Sequence, residues 1–312
     1  MRKFLPALVL FLLSPFIAEI LLGATPLSNF SSLFFVIPLY GGGALLIREL
    51  VRRRGLDWIS IALLGVAYAI IEEGLVIQSL FNPTLFGAAA YGGRALDVNW
   101  IWTLWSVAYH TVVSISIPIL LSELLFPAER KLPWTNTAGL IVVAILYLIG
   151  ALGIGLAYRF VVARGFNAPP VLMIAAICLV ALLAVVAFSR PSTASRVERA
   201  EHKAGSGLAP AEVIPLTGQT EPIPAPGWAG LFAFMAFGAV TLLFSLPQVL
   251  RQFPLAFIPI LLYVLLAAIV SYLLRRWTAR GAGWSDRHSV ALVLGVLLVV
   301  MLDGFFFVLR GS

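Results

Sequence analysis

The sequence predicts an all-α, polytopic integral membrane protein: a bundle of about nine transmembrane helices, N-terminus inside and C-terminus outside. Three observations carry this. Of the 312 residues, 61% are apolar and 11% charged, against roughly 45–50% and ~25% in soluble domains. The apolar residues gather in runs long enough to cross a hydrocarbon core of ~30 Å, which takes about 20 helical residues. The basic residues stand between those runs and form no patch, so the net charge of +7 marks topology and excludes a nucleic-acid surface.

Each crossing must be helical, because lipid offers no partner for an open backbone group. The first run covers about residues 4–23. Its Arg2-Lys3 start also fits a secretory signal peptide, but Glu19 and the length of the run favour a retained helix. The second, about 30–48, carries Pro38 and the triplet Gly41-Gly42-Gly43, which allows close packing of a neighbour or local unwinding. Arg48 and Glu49 at its end read as an interfacial pair. The third and fourth runs, about 58–81 and 99–125, flank a glycine-rich loop from Asn82 to Asn99 that reads as a compact cover over their shared mouth. The fifth and sixth, about 137–160 and 170–189, complete a six-helix unit over residues 1–189, the sixth being the one expected to be tilted or partial.

Residues 190–226 are rich in Pro, Ser, Ala, Gly and mixed charge, too poor in large apolar residues to offset the entropy of ordering, and read as a flexible cytoplasmic linker. His202 within it reads as solvated. A three-helix unit over 227–312 follows, with runs at about 227–249, 254–274 and 288–309; His288 reads as interfacial. No internal repeat relates the two units. With the N-terminus inside, sixteen of the 21 Lys and Arg fall on the inner side and five on the outer, as the positive-inside rule requires. The cell membrane, as the cytoplasmic membrane of a prokaryote, is the expected location, with the lipid bilayer as partner.

Charged groups at mid-membrane cost at least ~2.5–3.5 kcal/mol each, so those present usually face the bundle interior and mark function. Glu19, the pair Glu72 and Glu73, His110 and Asp303 qualify. At ~1.5 Å per residue, the four acids lie roughly 21–24 Å from the inner ends of their helices and His110 about 16 Å from the outer end of its own. That common depth in the outer half predicts one shared polar site. Adjacent helical positions point about 100° apart, so Glu72 and Glu73 are expected to serve different partners. One raised and one ionised carboxyl would suit proton transfer or activation of water. Ser106 and Ser114 share a helix face with His110 at i±4 spacing; they, with Gln78, Glu19 and Asp303, are candidates for substrate binding or proton relay, Glu19 reading equally as a structural residue and Asp303 more as a structural one than a functional one. Trp102, Trp105 and Tyr109 surround the imidazole.

The single cysteine, Cys178, excludes an intramolecular disulfide or a Cys-based metal cluster. No His-Glu-x-x-His, phosphate-binding loop or Gly-x-Ser-x-Gly elbow occurs, and none of the three lysines lies within a helix to form a Schiff base. One mid-membrane His excludes a bis-histidine haem. No metal and no cofactor is therefore expected.

Glu72-Glu73 followed by a His on the next helix resembles the CPBP group of intramembrane proteases, the CAAX-processing and bacteriocin-protection family. Its motifs are Glu-Glu-x-x-x-Arg, Phe-x-x-x-His and His-x-x-x-Asn or Asp. Glu72 and Glu73 match the first two positions, while Ile77 stands in the Arg slot with Gln78 beside it. His110 matches the second motif's His, but Ser106 replaces its Phe, and His288 is followed by Leu292 in place of Asn or Asp. The likeness covers about Trp58 to Phe126. It implies a metal-independent hydrolase acting on a membrane-protein substrate, in which Glu73 or Glu72 activates water and His110 helps hold the oxyanion. A proton-coupled transporter or permease for a small solute would use the same Glu/His cluster, and a non-catalytic scaffold would use only the linker.

Overall fold

The computed structural model describes residues 4–192, 223–249, 257–278 and 283–311. Most of the expected linker, with His202, lies outside these residues. Among the described residues there are nine helices: α1 (Leu5–Ile20), α2 (Phe30–Arg53), α3 (Trp58–Val76), α4 (Trp100–Leu125), α5 (Thr137–Val162), α6 (Pro170–Phe188), α7 (Pro226–Val249), α8 (Phe257–Thr278) and α9 (Asp286–Gly311). Eight include stretches long and apolar enough to cross a membrane, and α1 is shorter. The chain is a multi-pass, all-helical membrane protein.

Local sequence explains where the helices start. The side chains of Asn29, Asp57 and Asn136 accept from Ser32 N (3.2 Å), Ser60 N (3.2 Å) and Gly139 N (2.8 Å), each satisfying one of the amides a helix start leaves open. Several helices differ from the expected reading. α1 stops at Ile20 because the chain turns through Gly23 at φ 78°. α2 continues to Arg53, its charges being neutralised inside the protein. α3 ends at Val76, since Gln78 has φ 63°, which a helix cannot accommodate. α6, expected to be partial, is a regular helix of 19 residues.

α2 is the central helix, packed by α1, α3 and α5. Small residues set that approach. A Cβ on Gly41 would lie 2.0 Å from the Phe11 carbonyl oxygen, and one on Gly43 2.4 Å from the Tyr68 ring. The glycine triplet therefore serves close packing within an unbroken helix. α7 and α9 pack on each other and, with α8, against the first six helices; Phe237 and Val293 join Ile17 and Tyr109 in one apolar cluster. α5, α6 and α8 turn Leu152, Ile174 and Leu261 outward.

The segment between α3 and α4 is compact. A 3-10 turn at Leu85–Tyr91 precedes a short hairpin, β1 (Arg94–Ala95) and β2 (Val98–Asn99), closed by Leu96 and Asp97 at φ 52° and 58°, the positive values that a two-residue hairpin turn demands. Arg94 donates to Asn99 Oδ1 at 2.7 Å and Phe81 O at 3.0 Å. Phe86 stacks on Trp102 with centroids 5.3 Å apart, so the segment covers the end of α4 nearest His110.

Candidate functional site

Three helices widen into π turns where their polar residues stand: Phe16–Ile20 carries Glu19, Ile70–Val76 carries Glu72 and Glu73, and His110–Ser116 carries His110 and Ser114. Bonds to the fifth residue back define them, Leu21 N to Phe16 O at 2.9 Å and Ile77 N to Glu72 O at 2.8 Å. A π turn gives up the regular helical ladder and recurs where side chains must be re-aimed for function. A fourth, Tyr158–Val162, ends α5.

The re-aiming brings both glutamates onto one imidazole. Glu72 Oε2 lies 3.2 Å from His110 Nδ1 and Glu73 Oε1 3.1 Å from Nε2. This corrects the expectation that the two acids serve different partners: the 100° separation belongs to a regular α-helix, and the wider turn lets the side chains reach opposite edges of one ring. Nδ1 also lies 3.0 Å from Ser114 Oγ. Glu72, Glu73 and His110 are 1%, 6% and 4% exposed, so the whole arrangement is shielded.

Glu19 joins through Tyr40, whose hydroxyl lies 2.6 Å from Glu19 Oε1 and 2.5 Å from Glu72 Oε1. Two such short contacts between oxygens need two protons, and a phenol brings one. One of the two carboxyls therefore supplies the other. Thr25 Oγ1 donates to the remaining oxygen of Glu19 at 2.7 Å.

Glu73 is held on both sides. Its Oε2 accepts from Ser79 Oγ and, at 3.4 Å, from the Trp102 indole, which also donates to Ser79 Oγ at 2.9 Å. Glu72 is held more loosely: its Oε2 meets His110 Nδ1 out of line for a hydrogen bond, with the buried Tyr68 hydroxyl near it. The Tyr68 ring packs 6.1 Å from those of both Tyr40 and His110. Among the described residues, no group of three or more His, Cys, Asp or Glu is arranged to hold a metal ion. The arrangement offers a carboxylate oxygen, an imidazole and two phenols, the components for moving a proton to or from a bound molecule.

Of the other candidate residues, only Ser114 is in the cluster with Glu19. Gln78 lies past the end of α3, where its Oε1 accepts from Ala168 N at 2.9 Å. Ser106 turns back to its own helix and donates to Thr103 O at 3.3 Å. Asp303 accepts from Thr241 Oγ1 at 3.0 Å on α7. Sequence reasoning missed Tyr40, Tyr68, Ser79 and Thr25. Tyr40 had one usable signal: it stands directly before the glycine triplet, where small residues bring neighbouring helices within its reach.

A second buried polar network occupies the other end of α2. Arg48 and Glu49 are each 0% exposed, which corrects their reading as an interfacial pair. Arg48 bonds Glu49 at 2.8 Å, Glu123 at 3.3 Å and the Leu132 carbonyl at 2.7 Å, and lies 3.4 Å above the Trp134 ring. Arg52 holds Glu123 through two bonds of 2.7 Å. His288 is also more enclosed than expected, at 7% exposed beneath Trp284 and bonded near Ser285 and Pro224 O.

Fold and cluster together define a polytopic helical membrane protein with an acid–imidazole centre buried among its first four helices. The chain belongs to an uncharacterized membrane protein family, whose model matches residues 8–310. No curated protein and no solved structure matches the chain.

Proposed function

We propose that the cluster is the active site of a metal-independent, glutamate-type intramembrane peptidase, the activity that the CPBP resemblance implies. The observation that carries this reading is the clamp of one imidazole between two carboxylates of a single π turn, 3.2 and 3.1 Å away, with a third acid tied in through Tyr40. Acids here outnumber basic partners, an arrangement too costly merely to hold helices together.

The roles follow from which atoms are committed. Both oxygens of Glu73 are engaged, so Glu73 orients His110. Glu72 Oε2 meets His110 Nδ1 at 3.2 Å out of line for a hydrogen bond, and is the base that takes a proton from a water attacking the peptide carbonyl. As the new C–O bond forms, charge grows on the carbonyl oxygen. Tyr68 and His110 Nδ1–H, released by Ser114, are the donors for it. Glu72 then returns the proton to the leaving nitrogen as the C–N bond breaks, giving an acid and an amine. Tyr40, bridged to Glu19, holds the other oxygen of Glu72 in place throughout. By the positive-inside count the site lies in the outer half of the membrane, so the scissile bond is presented there.

A permease using the same groups needs a polar path to both faces. Between Tyr40 and Arg48, α2 offers only its glycines and Ala44, Leu45, Leu46 and Ile47, while Ile115 and Ile119 of α4 are 0% exposed. This apolar layer favours a closed chemical site over a conduit. The test compares membranes bearing wild type, Glu72→Gln or Glu73→Gln by fragment proteomics, with pH-driven solute uptake measured in parallel. The hydrolase reading expects fragments in wild type that both variants lose. Identical fragments with uptake abolished in the variants would replace it with the transporter.

A further inference from the structure

A separate feature stands where α5 ends. At ~1.5 Å per residue its 26 residues reach about 39 Å, beyond a hydrocarbon core of ~30 Å, so the last turn and Arg164 stand at headgroup level. There Arg159, Arg164 and Asn167 line an open surface recess of about 390 Å3. It adjoins a cleft of about 190 Å3 between α5 and the π turn of α3, walled by Val76, Leu152 and Leu156. The two share Arg159 and Phe166 as lining. Leu152 and Leu156 are 65% and 55% exposed, so the cleft opens sideways, toward lipid.

Arg164 is anchored, its Nε donating to Phe160 O at 2.6 Å. Arg159 lies 6.0 Å from the Phe160 ring. Among the described residues neither guanidinium forms an ion pair. Both also sit on the side that the positive-inside count leaves with five of 21 basic residues, where cations are not supplied by topology. Two solvated arginines alone would signify nothing. Beside an apolar cleft open to lipid they complement an anion carrying a hydrocarbon chain.

We propose that this cleft holds one anionic phospholipid, its phosphate bound by Arg159 and Arg164 and one acyl chain lying along Val76, Leu152 and Leu156. Arginine suits the headgroup because its planar fork meets two phosphate oxygens at once, and basic pockets between membrane helices bind such headgroups. The chain would brace Leu75 and Val76, which belong to the same π turn as Glu72 and Glu73. The site is independent of what the buried cluster does.

The test is native mass spectrometry of the full chain released from membranes of mixed phosphatidylglycerol and phosphatidylcholine. Wild type is expected to retain one phosphatidylglycerol, at least about 10-fold in preference to phosphatidylcholine. Arg159→Gln with Arg164→Gln is expected to lose that preference, the scale of losing charge-assisted hydrogen bonds. Gly155→Leu is the second variant. A Cβ there already lies 3.5 Å from Val76 Cγ1, so the longer side chain fills the cleft, and replacing glycine favours the helix. It is expected to lose the lipid with both arginines intact. Equal retention of the two lipids by wild type, undiminished retention by the double variant, or displacement of the lipid by millimolar inorganic phosphate would each overturn the proposal.

Discussion

Two buried polar networks sit on the same helix, and they are built to opposite rules. Around Arg48, opposite charges alternate and partners are nearly complete. Glu49 accepts from Arg48, Trp134 N and both donors of Thr135, and Glu123 is held by two arginines. Arg53 Nε, 3.6 Å from Glu49, is its one buried guanidinium nitrogen without a hydrogen bond. Around His110, two carboxyls face one imidazole and a third is tied in through Tyr40, while Glu72 Oε2 meets Nδ1 out of line for a hydrogen bond. A buried charge left without partners is destabilising. The first network has the form of a joint between α2, α4 and the segment that follows it; the second has the form of a site whose last partner comes from outside.

The sharpest way to break this contrast is Glu72→Gln. The amide keeps the size of the side chain but cannot act as base, so fragment production should fall by roughly 10²–10⁴, the usual worth of a general base. Thermal unfolding in detergent should shift little. A variant that unfolds as readily as one in the Arg48 network would instead make the cluster a second joint.

Arg48→Met should give the next largest effect, and on stability alone. It strips Glu49 and Glu123 of a shared partner while leaving them buried, a change worth about 3–5 kcal/mol. The readout is the unfolding midpoint or the folded yield. If any folded fraction cleaves substrate at the wild-type rate per molecule, the two networks are separable in function as well as in form.

Tyr40→Phe is intermediate. It removes one hydroxyl that bridges two acids, at a cost of about 1–3 kcal/mol from unmet buried acceptors. It should also slow turnover less than Glu72→Gln does, because the base and the imidazole remain. Loss of all turnover with stability unchanged would make Tyr40 the reacting group and demote Glu72.

What could be read from the sequence follows what burial makes conspicuous. Ionisable residues inside apolar runs are visible at once, so Glu19, Glu72, Glu73 and His110 could be picked out and assigned a common depth. Tyrosine is ordinary in membrane helices, so Tyr40 and Tyr68 are visible only through their neighbours. The π turns leave no compositional trace, which is why helical-wheel geometry separated two glutamates that meet on one ring. Arg48 and Glu49 looked interfacial because they precede Arg52, Arg53 and Arg54, and nothing local reveals that the chain after α4 folds over them. Gln78 stands beside the Arg slot of the CPBP motif, but a positive φ carries it past the end of the helix.

Asp303 gives the smallest expected effect and a sharp boundary. It lies in the last helix, bonded to Thr241 across the α7–α9 contact, and no hydrogen bond links it to Glu19 or His110. Asp303→Asn retains an acceptor for the threonine, so it should cost about 1 kcal/mol or less, near the net worth of one hydrogen bond. Fragment production should stay within about two-fold, since the chemistry of the cluster does not pass through this residue. Both can be measured on the same preparation used for Glu72→Gln. A loss of turnover comparable to that variant would mean that α9 supplies a group to the reaction, and that the site is completed across the apolar cluster of Ile17, Tyr109 and Phe237, not confined to α1–α4.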